Sequence, residues 1–187
     1  MSNLTQEIIA LEQNRQAIVD AVNAKGGELA ESAPLNVIPQ AIEALPSGDD
    51  TMLLRAITAI GGDFVVPDGV TAIRSYAFYN SPVSSITFPE GLKLIGLQSL
   101  RNLTNITKLD FPDSLTTIGQ QGFYFSAKVD TLIFRSMNPP TLGSSSISGN
   151  SSNLKIYVPD ASVEDYKAAT NWSTHASKIH PLSELPQ

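Results

Sequence analysis

The stretch SSITFPEGLKLIGLQSLRNLTNITKLDFPDSLTTIG, residues 84–119, contains one pattern twice. In each copy an apolar strand ends in Phe-Pro, an acidic turn follows, and a second apolar stretch ends in Ile-Gly. The pattern continues on both sides, because apolar residues recur 22 or 23 positions apart in parallel columns. These columns are Val83, Ile106 and Val129; Ile86, Leu109 and Leu132; Phe88, Phe111 and Phe134; Ile73, Ile95 and Ile118; and Phe78, Leu100 and Phe123. Apolar columns that stay in register over successive copies predict a solenoid.

A single copy of the repeat is too small to fold alone, because ordering its backbone costs more free energy than burying its few apolar side chains returns. Stacked copies bury both faces of each layer and satisfy each other's backbone groups. The sequence therefore predicts an α+β fold in which a short repeat solenoid follows a helical hairpin or coiled-coil module and ends in a capping helix. The predicted division is a helical attachment and oligomerisation module at 1–46, a linker and N-terminal cap at 47–62, repeats at 63–158 and a C-terminal cap at 159–187.

The outer surface of the solenoid is the candidate binding face. Strand alternation directs every second side chain of the repeated strand away from the core. The predicted outward positions are Ser85, Thr87, Lys108, Asp110, Thr131 and Ile133. Three aromatic residues, Tyr79, Tyr124 and Phe125, fall in the segment predicted to form a tight helical turn. Both groups have two interpretations: a solvated sheet face or a protein or glycan contact for the first, and packing along the turns or anchoring of a partner for the second.

The two ends of the repeat array need caps. After a last strand at 154–158, Ser162 and Asp165 have the spacing of a capping box, and Val163, Tyr166, Ala169 and Trp172 are predicted to close the final layer. Residues 135–152 are interpreted as a degenerate fourth repeat whose helical turn has become a Ser/Gly loop. At the other end residues 51–62 are expected to cover the first layer, and the sequence leaves open whether they form helix or strand.

The N-terminal residues carry an apolar stripe at helical spacing. The stripe consists of Leu4, Ile8, Leu11, Ile18 and Val22, with Arg15 in its middle. A seam of this spacing suits a short coiled coil, and one polar seam residue can fix register and strand number. We therefore predict a homo-oligomer, a trimer or a dimer. The alternative is that Arg15 extends outward and the helix packs on its own chain.

Composition excludes several classes of function. The net charge is −6, the pI is about 4.8, and no stretch gathers Lys and Arg, so no nucleic acid and no anionic membrane is expected as a partner. Cysteine is absent, which excludes disulfides and thiolate chemistry. No apolar run is long enough to cross a bilayer, and the N-terminus lacks the features of a signal peptide, so synthesis in a cytoplasm is expected.

The sequence also predicts no enzyme, no cofactor and no metal site. The two histidines, His175 and His180, match no metal-ligand spacing. Asp110 and Asp113 flank a strand corner and could be interpreted as a pair of catalytic carboxylates. The preference of aspartate for turns explains the presence of Asp113 better. The Gly-Gly-Asp at 61–63 lacks the length and the lysine of a phosphate-binding loop.

The repeats resemble the BspA-like leucine-rich repeats. The matching segments are VPDGVTAIRSYAFYNSPVSSI, FPEGLKLIGLQSLRNLTNITKL and FPDSLTTIGQQGFYFSAKVDTL, and the resemblance extends over about residues 64–179. The sequence departs from the family at Asn80, Asn102 and Ser126, where cysteine is frequent, and at Leu100. The resemblance implies a non-enzymatic recognition solenoid, often on bacterial surfaces.

The N-terminal part resembles a different group of proteins. The segment IVDAVNAKGGELAESAPLNVIPQAIEALPSG is similar to a helical module at the start of structural proteins of tailed bacteriophages. This resemblance implies a virion component, a head or tail fibre, that contacts other virion proteins and presents its solenoid to a host surface protein or glycan. The alternative is a cell-surface or secreted bacterial adhesion protein of the BspA-like family.

Overall fold

The computed structural model describes residues 61–186, so the predicted N-terminal helices, the proposed oligomerisation residues and most of the 51–62 segment lie outside the described residues. Ten strands are defined: β1 Gly62–Val65, β2 Ala72–Ile73, β3 Val83–Thr87, β4 Leu94–Ile95, β5 Lys108–Phe111, β6 Thr117–Ile118, β7 Thr131–Phe134, β8 Thr141–Leu142, β9 Lys155–Val158 and β10 Ile179–Pro181. One α-helix, α1 at Val163–Ala168, and three short 3₁₀ turns (Asp160–Ser162, Ser173–Lys178 and Leu182–Glu184) complete the described part. Within it no helix has the length and apolar character needed to cross a membrane.

The strands stack in parallel as successive layers of a solenoid. Longer strands form the ladders β1-β3 and β5-β7-β9-β10, and the two-residue strands form the ladder β2-β4-β6-β8. Leu109 pairs with Leu132 and Leu132 with Ile156, so this predicted apolar column is confirmed and extends one layer further. Ile86 belongs to the same buried core, although its strand β3 is bonded to β1 and the structure defines no ladder between β3 and β5.

The third side of each layer is a chain of turns rather than the predicted helical turn. Along residues 76–81 the backbone N–H groups alternate between two kinds of carbonyl acceptor. Those of Tyr76, Phe78 and Asn80 bond to the next layer, at 2.8–3.1 Å, whereas Ala77, Tyr79 and Ser81 bond three residues back in their own layer. The next layer repeats this alternation, and so does the layer after it. Positive φ angles, such as 64° at Tyr76 and 58° at Asn80, prevent a continuous helix.

The Ser-rich segment is a fourth turn of the same kind, so its interpretation as a loop was wrong. Ser144, Ser146 and Ser148 accept hydrogen bonds from the N–H groups of the preceding layer, and Ser145 has the positive φ of that column. Ile147 is buried beneath the turn, as Phe123 is in the layer before. Serine in this segment therefore keeps the backbone geometry of the repeat.

The C-terminal cap buries large aromatic rings against the last layer. Tyr166 and Trp172 are fully buried, and the Trp172 ring lies edge-on to Phe134 with centroids 5.0 Å apart. Their polar atoms are satisfied, since Trp172 Nε1 donates to the Pro140 carbonyl at 2.8 Å and the Tyr166 hydroxyl donates to the Ser136 carbonyl at 2.9 Å. The predicted capping box does not form, because the Ser162 hydroxyl donates instead to the Met137 carbonyl at 2.7 Å.

Glycine is required where the short strands end, because layers approach most closely there. A Cβ built on Gly119 would lie 2.7 Å from Leu97 N and 2.8 Å from Gly96 C of the preceding layer. Gly96 and Gly143 have equally close backbone neighbours. This close approach accompanies the hydrogen bond from Gly119 N to the Ile95 carbonyl, at 2.7 Å.

We expect Gly119→Ala to lower the free energy of unfolding by about 3 kcal/mol, because its methyl group must push the backbones of two layers apart. Gly91→Ala is the matched control, since a Cβ there has nothing within 4 Å. We expect the control to change stability by no more than about 0.5 kcal/mol. Urea unfolding of the full chain, followed by circular dichroism, measures both. Equal stability of the two variants would contradict the layer spacing described above.

Candidate binding surfaces

The strand face of the first two layers is polar and partly satisfied by its own hydrogen bonds. The hydroxyls of Ser85 and Ser84 donate to Asp63 Oδ1 at 2.6 and 3.1 Å, and these bonds lower the pKa of the Asp63 carboxyl. Thr87 points outward and is exposed, as predicted. Ser85, a candidate contact in the sequence, therefore has a partner within the protein.

The same face in the next layers is dominated by one ion pair. Arg135 donates from Nε and Nη2 to the two carboxylate oxygens of Asp110, each at 2.8 Å, and this pairing raises the pKa of the guanidinium. Lys108 is exposed, and Thr131 bonds through its hydroxyl to the neighbouring Asp130 at 2.8 Å. Of these predicted contacts, Lys108 is the exposed charged one.

Ile133 does not belong to the exposed face, and its prediction as an outward contact was wrong. It is fully buried, and its partner on β9, Tyr157, is 2% exposed. The C-terminal segment lies beside them: the turn Leu182–Glu184 contacts β9, and the His180 ring lies 5.8 Å from the Tyr157 ring. The chain after β9 thus makes the outer side of the last strands part of the interior.

A groove of ≈ 650 Å³ lies on the strand face where the long-strand ladder is interrupted. Its walls come from β3 and β5 and from the corners that follow them, and Arg135 lines it as well. Two side chains bridge the interruption: Asn105 Nδ2 donates to the Pro82 carbonyl at 2.9 Å, and the Ser114 hydroxyl donates to the Leu92 carbonyl at 2.8 Å. The groove therefore presents charges of both signs, from Lys108 and Arg135 and from Glu90 and Asp110, beside the apolar side chains of Ile86, Phe88 and Pro112.

The most distinctive surface lies on the turns, and we define the turn ridge as Tyr76, Tyr79, Arg101, Tyr124 and Phe125. Arg101 Cζ lies 5.6 Å from the Tyr79 ring centroid and 5.1 Å from that of Tyr124, so the guanidinium is held between two rings. Tyr76 is edge-on to Tyr79, and Phe125 is edge-on to Tyr124 at 4.6 Å. The two outer rings are 39% and 52% exposed, which leaves them accessible to a ligand. The structure thus brings the three predicted aromatic residues together and adds Tyr76 and Arg101, which the sequence reasoning missed.

Amide side chains form short ladders beside the ridge. Gln98 Nε2 donates to Gln121 Oε1 at 2.7 Å, and Arg101 Nη1 donates to Gln98 Oε1 at 3.0 Å and to Gln121 Oε1 at 3.4 Å. Next to Tyr79 and Arg101 in the sequence, Asn102 Nδ2 donates to Asn80 Oδ1 at 2.7 Å. The two bonds from Arg101 Nη1 fix the position of its guanidinium from one side.

Phe125 stands in the third layer where the two preceding layers have Asn80 and Asn102. The hydrogen bonds between layers show this register, and they place Ser126 in the next column, with Ser81 and Leu103. The grouping of Ser126 with the two asparagines was therefore wrong by one position. The Phe125 ring lies over Gly149, where an added Cβ would come within 2.9 Å of it.

The described residues contain no cluster of three or more His, Asp or Glu side chains placed to hold a metal ion. His175 is half-buried, and burial followed by the charge of Lys178 lowers its pKa. His180 Nδ1 lies 3.3 Å from Glu184 Oε2 at the end of the chain. Neither histidine lines the groove or belongs to the turn ridge.

Parallel strands at intervals of 22 to 24 residues, stacked around one apolar core, define a leucine-rich-repeat protein. A family model described as "BspA type Leucine rich repeat region" matches residues 62–174 in six copies, and the chain belongs to this family. Proteins of this class are in general non-enzymatic and bind partners.

The chain is similar to a solved leucine-rich-repeat structure. A leucine-rich repeat protein from Bacteroides ovatus shares 16% sequence identity with it, at a TM-score of 0.48, over 68% of this chain and 31% of the other. The chain therefore spans about a third of the length of that protein. No curated protein matched the chain.

We expect the Asp110–Arg135 pair to stabilise the fold by about 0.2 to 1 kcal/mol, because both side chains are partly exposed, at 34% and 51%. A double-mutant cycle of Asp110→Asn and Arg135→Gln, measured by urea unfolding, gives this coupling. It should shrink when salt is raised, since exposed charges are screened. A control cycle of Asp110→Asn with Lys167→Gln, whose partner is Glu164, should show no coupling. Coupling above about 2 kcal/mol would contradict the exposed geometry.

We expect the pKa of His175 to lie below the ordinary histidine value of 6.5, because burial disfavours the imidazolium. The unfolded chain then takes up its proton at higher pH than the folded chain. Stability contributed by neutral His175 is present above pH 6.5 and falls as the pH drops below that value. NMR titration of the His175 ring proton, assigned with His175→Gln, measures the pKa. Lys178→Gln should raise it, and a pKa at or above 6.5 in the unsubstituted protein would contradict the burial.

Proposed function

We propose that the protein is a non-enzymatic structural component of a bacteriophage virion, a head or tail fibre. In this role its N-terminal module attaches it to other virion proteins and holds copies together, and its solenoid presents a binding surface to a host protein or glycan. The resemblance of residues 18–48 to tailed-phage structural proteins supports the virion part of this proposal. The family of the repeats supports the binding part.

The turn ridge is the single observation that carries the binding role. Exposed aromatic rings that flank an arginine are costly to leave in water and are the side chains most enriched at binding hot spots. The solenoid already has a continuous core, so Tyr76 and Phe125 are not needed to close it. Their exposure is best explained by a partner that covers them.

A bacterial surface or secreted adhesion protein is the second candidate. Membership in the BspA-type family favours it, and the turn ridge serves an adhesin in the same way as a fibre. The two candidates differ in where the protein is found: in purified phage particles, or on bacterial cells in the absence of phage.

Mass spectrometry of gradient-purified particles, combined with immunogold labelling, tests the proposal. The expected result is a constant copy number per particle and gold at the head or tail. The adhesin predicts surface labelling of uninfected cells and no enrichment in particles. Detection on uninfected cells alone would overturn the virion assignment and leave the binding role intact.

We expect the full chain to form a dimer or trimer, with a mass two or three times the 20.0 kDa of one chain. Ile8→Asp with Leu11→Asp should convert it to monomers, because buried carboxylates in an apolar seam are strongly unfavourable. Gln6→Asp with Gln13→Asp adds the same charge away from the stripe and should leave the mass unchanged. Light scattering coupled to size-exclusion chromatography measures the mass. A monomeric parent chain would contradict self-association through this stripe.

A further inference from the structure

The surface around the turn ridge is cationic, although the protein as a whole is acidic. Segments 74–81, 97–105 and 120–128 contain Arg74, Arg101 and Lys128 and no Asp or Glu, although the chain as a whole has a net charge of −6. Arg74 and Lys128 are exposed, and no ion pair within residues 61–186 involves any of the three cations. The acidic residues of the repeats lie on the strand side and its corners. The ridge therefore attracts anions locally.

The Arg101 guanidinium is prepared for an anionic ligand. Its Cζ lies between the rings of Tyr79 and Tyr124, and Nη1 is held by Gln98 and Gln121. Nε and Nη2 donate to no other described residue, so one edge of the planar group remains available. A carboxylate accepts two parallel hydrogen bonds from such an edge, and a guanidinium already fixed in place loses little entropy on binding.

The exposed rings add a second kind of contact. Tyr76 and Phe125 lie at the two ends of the row of rings around Arg101, and their exposed surfaces can pack against the apolar face of a sugar. The ridge rises by one strand spacing, ~4.8 Å, per layer, so Tyr76 and Phe125, which lie two layers apart, are separated by at least about 10 Å. A ligand that contacts both rings and Arg101 must therefore be an oligosaccharide rather than a single sugar. Asn80 and Asn102 supply amide groups next to the same surface, and amides suit sugar hydroxyls.

A sugar chain fits this surface better than a folded protein does. A protein hot spot of aromatic residues and arginine depends on full desolvation at the centre of a packed interface. No residue of the turn ridge lines the strand-face groove, so the ridge is a separate, shallow row of exposed rings and guanidinium donors. Such a row suits a chain of sugar rings that carry carboxylates, because the C–H groups of a sugar stack on an aromatic ring and a carboxylate pairs with a guanidinium.

We propose that the turn ridge is a binding site for an acidic polysaccharide whose sugars carry carboxylates, with Arg101 binding a carboxylate and Tyr76 and Phe125 stacking on adjacent rings. This inference rests on the proposed binding function and names its ligand class. It assigns the strand-face groove no part in glycan binding.

Oligogalacturonate is the probe, and titration calorimetry on the full-length protein is the measurement. We expect Arg101→Gln to weaken binding at least about tenfold and Arg101→Lys to restore only part of it, since lysine keeps the charge and loses the two-pronged geometry. Tyr76→Ser and Phe125→Ser should each weaken binding severalfold. Lys155→Gln removes the same charge from an exposed position on β9, outside both the turn ridge and the groove, and should leave the affinity unchanged. Thermal unfolding of each variant shows that the fold is retained.

Other probes separate the alternatives. Polyglutamate bound as tightly as oligogalacturonate would overturn the sugar assignment in favour of charge alone, and a neutral dextran bound equally would overturn the role of the carboxylate. Equal losses from Lys155→Gln and Arg101→Gln would overturn the location. Failure of every acidic glycan would overturn this inference, while detection in particles and self-association would still support the proposed function.

Discussion

In the first three turns of the described repeats, alternate backbone N–H groups have their acceptor in the next layer, and the structure depends on that constraint. In residues 76–81 alternate groups bond forward to the following turn, and the remaining groups close bonds within their own turn. A layer without its neighbour would leave these donors unpaired around an apolar core, which costs more than one layer can return. The repeated spacing, the glycines at the close approaches and the tolerance for serine in the fourth turn all follow from this requirement.

Because stacking fills the interior with side chains, recognition is confined to the outside. The two outer surfaces differ in character. The strand face satisfies much of its own polarity, through Ser85 with Asp63 and Arg135 with Asp110, and loses its apolar end beneath the C-terminal segment. The turn ridge instead keeps large rings in water around a guanidinium that is held in place. The side of the repeat with less regular secondary structure therefore carries the exposed rings on which the proposed binding role rests.

Periodicity in the sequence was sufficient to predict the layers, because a column such as Leu109 and Leu132 is written directly in the spacing. It was not sufficient for Ile133, since alternation identifies the side of a strand but not a distant segment that covers it. Arg101 was missed because a charged residue in a turn is usually solvated. The signal was nevertheless present: Arg101 lies 22 residues after Tyr79 and 23 before Tyr124, so the three share one column. The capping box failed because Ser162 found a tertiary acceptor, which no local pattern encodes.

The interruption between β3 and β5 has a mechanical consequence. At every other described junction between the long-strand layers a ladder of backbone hydrogen bonds resists shear, whereas here the long strands are joined by packing and by bridges such as Asn105 to the Pro82 carbonyl. The short strands and the turns remain bonded across the same junction. A solenoid built in this way is least stiff at the junction between β3 and β5. A lateral load is expected to bend it there about the bonded short strands and turns, which opens or closes the strand face.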